Sequence, residues 1–439
     1  VKQGYLEYKE SGYEWLGEIP LHWELKKAKW SFKEKSIKGY PDELLLSVSK
    51  GKGVIPRGEL ENKTVMAFKD LQNFKLVLPE DFVIHLRSFQ SGFEMSMNKG
   101  IVSPAYTVFS CKNGLLPSYY KFLFYMQNFI DAIASTTQSL RDGKPIAYRD
   151  FSNMVLPFPK YNEQVKIANF LKVKLKEVDN LIYTKKKLIL LLEQQRQSII
   201  TEAVTKGLNP NVKMKDSGVE WIGEIPEHWE IKKIKNIANV YSSNVDKKSV
   251  EGEKEVLLCN YVDVYYNDSI TADINFMKAT AKDEQIKTFK LKKHDVIITK
   301  DSESPKDIAI PTWVSQDLDG VVCGYHLSLI RCFENTLGHY LYYTLESNQI
   351  KEQFYTKANG VTRFGLSKEA IKNGLIAIPP FNEQLEIAKM LNNVNQEVRS
   401  TVEKLKIQIE KLKEYRQALI YEAVTGKIDV RDMELDEVR

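Results

Sequence analysis

Residues 161–205 and 381–425 each run without a glycine or a proline, and the second stretch repeats the first at an offset of 220. Nothing in either one breaks a helix. Asn162, Glu163 and Gln164 return as Asn382, Glu383 and Gln384, and Arg196 and Gln197 return as Arg416 and Gln417. Glu202, Ala203, Val204 and Thr205 return as Glu422, Ala423, Val424 and Thr425. The first stretch places apolar residues at Leu171, Leu175, Val178, Ile182, Ile189, Leu192, Ile199 and Ala203. The second does so at Leu391, Val398, Val402, Leu405, Ile409, Leu412, Leu419 and Ala423. Steps of four and three are the heptad of a coiled coil. Arg196 and Arg416 interrupt the seam at equivalent places, as register-setting polar residues do. At about 1.5 Å per residue each stretch predicts a rod of roughly 65–70 Å. Two such rods in one chain predict an intramolecular antiparallel pair; the alternative is two long helices, each packed on its own domain.

A second repeat precedes the first. SGYEWLGEIPLHWELKK (11–27) and SGVEWIGEIPEHWEIKK (217–233) are identical at 13 of 17 positions, offset by 206. The chain is therefore two long internal repeats, each a short motif, a globular stretch and a long helix. The motif sets Trp15 and Trp23 around Gly17 and Pro20, copied as Trp221, Trp229, Gly223 and Pro226. Gly and Pro make a turn and the indoles supply buried area. His22 and His228 have no ligand-spaced Cys, Asp or Glu beside them, so the motif reads as a structural clamp.

Between clamp and rod the pattern is mixed. Residues 44–49, 81–89 and 101–111 are strand-like, and 117–135 has helical periodicity through Tyr120, Leu123, Phe124, Ile130 and Ile133. The second repeat follows the same plan: 294–302 matches EDFVIHLRS, 320–332 matches GIVSPAYTVFSC, and 338–354 matches the helical stretch. The frame is nearly duplicated while the polar residues inside the globular stretches are not. One scaffold thus carries two different readers. TKGLNPNVKMK (205–215) reads as a helix stop and linker, and 427–439 as a charged, loosely ordered tail.

The 439 residues suffice for two or three domains with full cores. Hydrophobic content of 43% and charged content of 28% are those of a soluble globular protein. No apolar run approaches a membrane span, and the first residues lack the apolar core of a secretory signal. Cys111, Cys259, Cys323 and Cys332 show no metal or disulfide spacing, which points to a reducing, cytoplasmic setting. No cofactor motif is present. Ile378, Pro379, Pro380 and Phe381 approach the (Asn/Asp)-Pro-Pro-(Phe/Tyr) site of amino-methyltransferases, but isoleucine supplies no side-chain carbonyl there. No phosphate loop occurs, and Pro41 and Asp42 lack the rest of a nuclease signature. The sequence reads as non-enzymatic.

A net charge of +5 permits nucleic-acid binding if the charge is clustered. Polar and basic residues do cluster in loops that interrupt apolar runs. In the first repeat they are Lys50, Lys52 and Arg57; Arg87, Ser88 and Gln90; and the stretch from Gln138 through Arg141 to Lys144. In the second they are Asn260, Tyr261 and Tyr265; Lys300, Asp301, Ser302 and Glu303; and Asn359, Thr362 and Arg363. Arg and Lys suit guanine edges, Asn and Gln adenine, Asp and Glu the cytosine amine; Lys and Ser also hold phosphates. The alternative is that these are ordinary solvated loop charges.

The duplicated GxEWxGEIPxHWE motif and the duplicated (I/F)PxxNEQxxIAxxL opening of each long helix (158–171 and 378–391) resemble the specificity subunit of a Type I restriction-modification system. The resemblance covers essentially the whole chain. It implies an α+β protein: two globular target-recognition domains of mixed strands and helices, separated by two long helices packed as an antiparallel coiled coil, with an internal pseudo-twofold repeat. The corresponding boundaries are 1–158 (first recognition domain), 159–206 (central spacer helix), 207–378 (linker and second recognition domain), 379–426 (C-terminal spacer helix) and 427–439 (tail). It further implies that each domain reads one half of a split site in double-stranded DNA, and that the helices set the gap. Two copies of the modification (methyltransferase) subunit, which carries the chemistry, dock on those helices; restriction (motor and nuclease) subunits can join. Tyr183, Lys185, Lys186, Lys187 and Gln194, set around the rod, are the expected partner-binding residues. A stand-alone DNA-binding or scaffold protein without a methyltransferase partner is the alternative.

Overall fold

The computed structural model describes residues 4–60, 70–85, 92–136 and 146–433. They form two compact units, Val1–Lys185 with Lys406–Arg439, and Lys186–Leu405.

In the first unit Tyr8–Glu10 pairs antiparallel with Glu18–Pro20, and Glu24–Lys27 with Val155–Phe158. A four-stranded antiparallel sheet follows in the order Phe32–Lys35, Thr107–Cys111, Phe82–Ile84, Phe93–Met95. Its inner face is aromatic. Phe32, Phe82, Phe93, Phe109, Phe124 and Phe151 are all buried, and they meet mostly edge to face, as Phe93 and Phe151 do at 4.9 Å and 87°. That geometry sets the positive ring edge on the negative face of the neighbour.

The second unit repeats the frame: Met214–Asp216 with Glu224–Pro226, and Glu230–Lys233 with Leu375–Ile378. Its main sheet has five strands, ordered Ala238–Ser242, Leu327–Cys332, Val296–Thr299, Pro311–Val314, Ser269–Ile270. A three-stranded sheet, Met277–Ala281, Lys254–Cys259, Val321–Cys323, covers a separate small core. Arg331 puts Nε and Nη2 on the two carboxylate oxygens of buried Asp295 at 2.8 and 2.7 Å. His339 stacks on Trp313 at 3.9 Å and 15°, and its Nε2 has no hydrogen-bond partner among the described residues. Burial there pushes the imidazole down to about 4.

The clamp is a duplicated hydrogen-bond set. Trp23 Nε1 donates to Glu163 Oε1 at 2.9 Å, His22 Nε2 lies 3.1 Å from Oε2, and the Tyr5 hydroxyl donates to the same carboxylate. In the copy Trp229 Nε1 donates to Glu383 Oε2 at 2.9 Å and His228 Nε2 lies 2.7 Å from Oε1. Each histidine thus has an acidic partner after all, about 150 residues away, where local spacing could not reveal it. The next residue is used the same way twice. Gln164 takes Leu116 N–H at 2.8 Å and gives to Pro159 O; Gln384 takes Leu337 N–H at 2.8 Å and gives to Pro379 O. The Asn-Glu-Gln triplet therefore ties each long helix to the indole of its own repeat and to the head of a short helix.

The long helices are Tyr161–Lys206 and Phe381–Val424. Within the first unit Arg416 Nε meets Asp179 Oδ1 at 3.1 Å and Lys185 Nζ meets Gln408 Oε1 at 2.7 Å, so the two run antiparallel. Leu171 and Leu175 share a core there with Leu419 and Ala423. Within the second unit Ile200, Ala203 and Val204 share a core with Ile387, Ala388 and Leu391, and Arg196 Nη1 donates to Asn395 Oδ1 at 3.2 Å. The paired-rod expectation holds over the separate helices. The two seam arginines are satisfied differently: Arg416 by Asp179, Arg196 by Glu193, Glu346 and Asn395. Asn395 also donates to Asp268 Oδ2 at 2.7 Å, and Arg399 pairs with the same carboxylate.

Two expectations need correction. The helical stretch 117–135 is broken: Pro117–Phe124 and Gln127–Thr136 are separate helices. Gly338–Glu346 and Asn348–Tyr355 are likewise split at Ser347. The break lets both Leu123 and Phe129 reach the core, which one straight helix would not. The tail is not loose over its described part, because Ile428 and Val430 are buried in the first unit's core and Arg431 lies 4.8 Å over the Tyr5 ring. Its alternating apolar residues find a partner surface that charge content alone does not suggest.

Candidate nucleic-acid interface

In the second unit the loop residues selected from sequence converge on one cleft of about 420 Å³. One wall is the short helix Tyr261–Tyr265. Asn260 caps it: its N–H donates to Asp263 Oδ2 at 2.7 Å. The cap fixes where the helix starts and so where its tyrosines point. Tyr261 and Tyr265 stack at 5.6 Å and 19°, and Tyr266, 74% exposed, meets Tyr265 edge-on at 5.0 Å. Their hydroxyls reach across the cleft, Tyr261 to Ser302 Oγ at 3.5 Å and Tyr265 to Asp307 Oδ1 at 3.3 Å. Burial holds both phenols above the ordinary range, with Asp307 adding to it at Tyr265, so they stay donors.

The facing wall is a two-strand ribbon, Asp301–Ser302 paired antiparallel with Phe364–Gly365. The ribbon carries a tight loop. Asn359 N–H donates to Gly365 O at 3.1 Å, and Gly365 N–H returns to Asn359 O at 2.9 Å. Gly360 sits at φ +152°, where a Cβ would come within 1.9 Å of Arg363 O; only glycine closes this loop. At its tip Val361 is 93% exposed, followed by Thr362 and Arg363, also exposed. Behind the tip, His326 Nδ1 lies 3.1 Å from Asp301 Oδ2, and Arg363 Nη2 lies 3.1–3.2 Å from the His326 ring nitrogens. Lys300 is committed inward, Nζ to Ser243 O at 3.1 Å and 4.7 Å over the Tyr325 ring.

The structure thus brings Tyr261, Tyr265, Asp301, Ser302, Glu303 and Arg363 to one cleft, with Asn260, Lys300 and Thr362 outside its lining. Tyr266, Asp307 and His326 also line the cleft and were not selected from the sequence. Tyr266 stood beside two chosen tyrosines. His326 sits next to a strand, where nothing in the sequence shows its two partners.

In the first unit Lys50 and Lys52 occupy the turn of the hairpin Leu46–Ser49/Gly53–Pro56, and Arg57 opens a short 3-10 turn just after it. Gly51 N–H donates to Glu94 Oε1 at 2.7 Å, and Tyr125 OH donates to the other carboxylate oxygen. Glu94 has no solvent exposure, and burial raises its pKa. It is the missed residue here, a buried acid that fixes a lysine-bearing turn. Arg87, Ser88, Gln90, Arg141 and Lys144 lie outside the described residues. On the first long helix Tyr183 is 68% exposed, Lys186, Lys187 and Gln194 are exposed, and Lys185 is half-buried through its bond to Gln408. Among the described residues no group of three or more His, Cys, Asp or Glu is arranged to hold a metal, and no helix is long and apolar enough to cross a membrane.

A family model described as the Type I restriction modification DNA specificity domain matches residues 226–411. The MjaVIII Type I restriction enzyme specificity subunit of Methanocaldococcus jannaschii is 25% identical over 370 residues, 83% of each chain. The EcoBI specificity subunit of Escherichia coli is 23% identical over 321 residues, 71% of this chain and 66% of that one. The fold is shared with a chain solved in work on complex assembly and conformational transition of the type I R-M system. There the TM-score is 0.71 at 12% identity, covering 93% of this chain and 99% of that one. It is shared also with the HsdS subunit of Thermoanaerobacter tengcongensis, with a TM-score of 0.53 at 14% identity, covering 93% and 98%. Residues 226–411 thus match the DNA specificity domain of Type I restriction-modification systems, and over most of its length the chain is similar to specificity subunits of those systems.

Proposed function

We propose that this chain reads a bipartite site in double-stranded DNA, with residues 1–158 on one half and 207–378 on the other. Its long helices dock two copies of a methyltransferase subunit and, in the complete complex, restriction subunits. The chain itself contributes no catalytic group and no cofactor, and it works in the cytoplasm. The observation that carries this reading is the contrast between frame and loops. The indole–carboxylate bond of the clamp and the glutamine ties at the head of each long helix recur in both repeats. The loops at the cleft of one repeat and the hairpin of the other share nothing. Duplicated supports with unlike readers suit a split target of two different halves.

The partner surface is the long-helix region bearing Tyr183, Lys186, Lys187 and Gln194. In the second unit Leu188, Leu190 and Leu191 are exposed on the same helix, an apolar patch of the kind that marks an interface.

Long-read methylation sequencing of DNA from cells expressing this chain, with and without a modification subunit, tests the proposal. A split motif with a fixed gap, present only with both chains, is expected. Methylation by this chain alone, or a continuous motif, overturns the reading.

A further inference from the structure

The loop Asn359–Gly365 presents a combination that packing does not explain. Val361 is almost wholly bare, two residues from an exposed arginine, on a loop that two backbone hydrogen bonds and a mandatory glycine hold in one shape. A bare valine costs solubility and gains no core contact. A rigid loop has prepaid the entropy of being ordered against a ligand. The arginine is held from behind as well. With Nδ1–H donated to Asp301, His326 keeps its other ring nitrogen as an acceptor for Arg363. Asp301 is fixed in turn by the ribbon that carries the loop.

We propose that this loop is a preformed finger for the major groove, with Val361 seated on a thymine C5-methyl and Arg363 bonded to guanine O6 and N7. Asp301 and His326 are positioning residues that aim the guanidinium. The inference rests on the DNA-reading function above and assigns its chemistry in the second domain. An apolar side chain suits the thymine methyl and an arginine fork suits guanine, and the major groove alone displays both. Two residues of extended chain span roughly 7 Å, so the thymine and guanine lie within two or three base pairs of each other. The tyrosine shelf of Tyr261, Tyr265 and Tyr266 forms the opposite lip of the cleft.

The test uses the complete complex of this chain with its modification subunit. Methylation sequencing first gives the motif. Binding is then measured to duplexes in which each thymine of the motif is replaced in turn by deoxyuridine, and each guanine by 7-deazaguanine. The wild type should lose roughly threefold to fivefold at one thymine and about tenfold or more at one neighbouring guanine. Val361→Ala should abolish the first sensitivity only and Arg363→Ala the second only. Both side chains are exposed, so folding is not at stake. His326→Ala should weaken the guanine sensitivity and leave the thymine one. His326→Gln, which can both donate to Asp301 and accept from Arg363, should restore it; a purely structural role would not give that pattern. A split motif whose thymine and guanine sensitivities survive Val361→Ala and Arg363→Ala overturns the finger and leaves the DNA-reading function standing. The absence of any split motif overturns both.

Discussion

The Trp23 indole and the Glu163 carboxylate, 140 residues apart, meet at 2.9 Å in the interior of the first unit. Glu163 also receives Tyr5 and His22, so one buried acid gathers the chain's first strands onto a long helix. Glu163→Ala would strand buried donors, at about 1–3 kcal/mol of stability. Glu383→Ala should cost less, because Glu383 is partly exposed and holds two donors rather than three. Amide hydrogen exchange, which resolves the two units separately, should show faster opening near Trp23 than near Trp229 in the matched variants.

Asp295 is almost wholly buried under the Arg331 fork. Asp295→Ala leaves a guanidinium without its charge partner and should destabilise the second unit by about 3–5 kcal/mol. Arg331→Met added to it should recover part of that loss, because no uncompensated charge then remains. Chemical denaturation of the single and double variants checks both statements.

His339 makes the second unit sensitive to acid. Its folded pKa, about 4, lies below the ordinary 6.5. Between those values the unfolded chain takes up a proton that the folded chain refuses. Stability is therefore full above about pH 6.5 and declines as pH falls toward 4. His339→Phe keeps the stack on Trp313 and removes a nitrogen without a partner. It should flatten that decline and leave the unit at least as stable at pH 7, as thermal unfolding at pH 7 and pH 5 would show.

Lys186→Glu with Lys187→Glu reverses the exposed charge on the first long helix while sparing Lys185, which is engaged with Gln408. Co-purification of the modification subunit should weaken several-fold, more so at low salt than at high salt. Unchanged recovery would assign these lysines to solvent.

Adding four residues to each long helix, about 6 Å of rise, should lengthen the gap between half-sites by one or two base pairs. The halves themselves should stay the same. Methylation sequencing reads both features. An active variant with an unaltered gap would show that the helices do not set spacing.

The frame was legible because it is written twice. Helices without breakers, a heptad seam and a repeated Gly-Pro-Trp motif are local signals, and an internal copy confirms each one. The clamp's chemistry was not legible, since His22 and Glu163 are joined only by folding. Tyr261, Asp301 and Arg363 could be chosen individually, by residue type and loop context. That they share a cleft depends on a ribbon pairing Ser302 with Phe364, a long-range register no local pattern encodes. Glu94 was invisible for the opposite reason: it lies in a strand among apolar neighbours, where an acid gives no sign of being buried. The seam arginines were visible, but their differing partners, Asp179 and Glu346, were not.

Each long helix ends on a glycine pressed against an indole. A Cβ on Gly207 would come within 3.1 Å of the Trp229 ring, and one on Gly426 within 3.1 Å of the Trp23 ring and 2.4 Å of Pro20. Since Glu163 fastens the start of one helix to Trp23 and Glu383 the start of the other to Trp229, each tryptophan holds the head of one helix and the tail of its neighbour. Within each unit one indole therefore serves two helix ends, and any side chain larger than hydrogen at the glycine would pry at both.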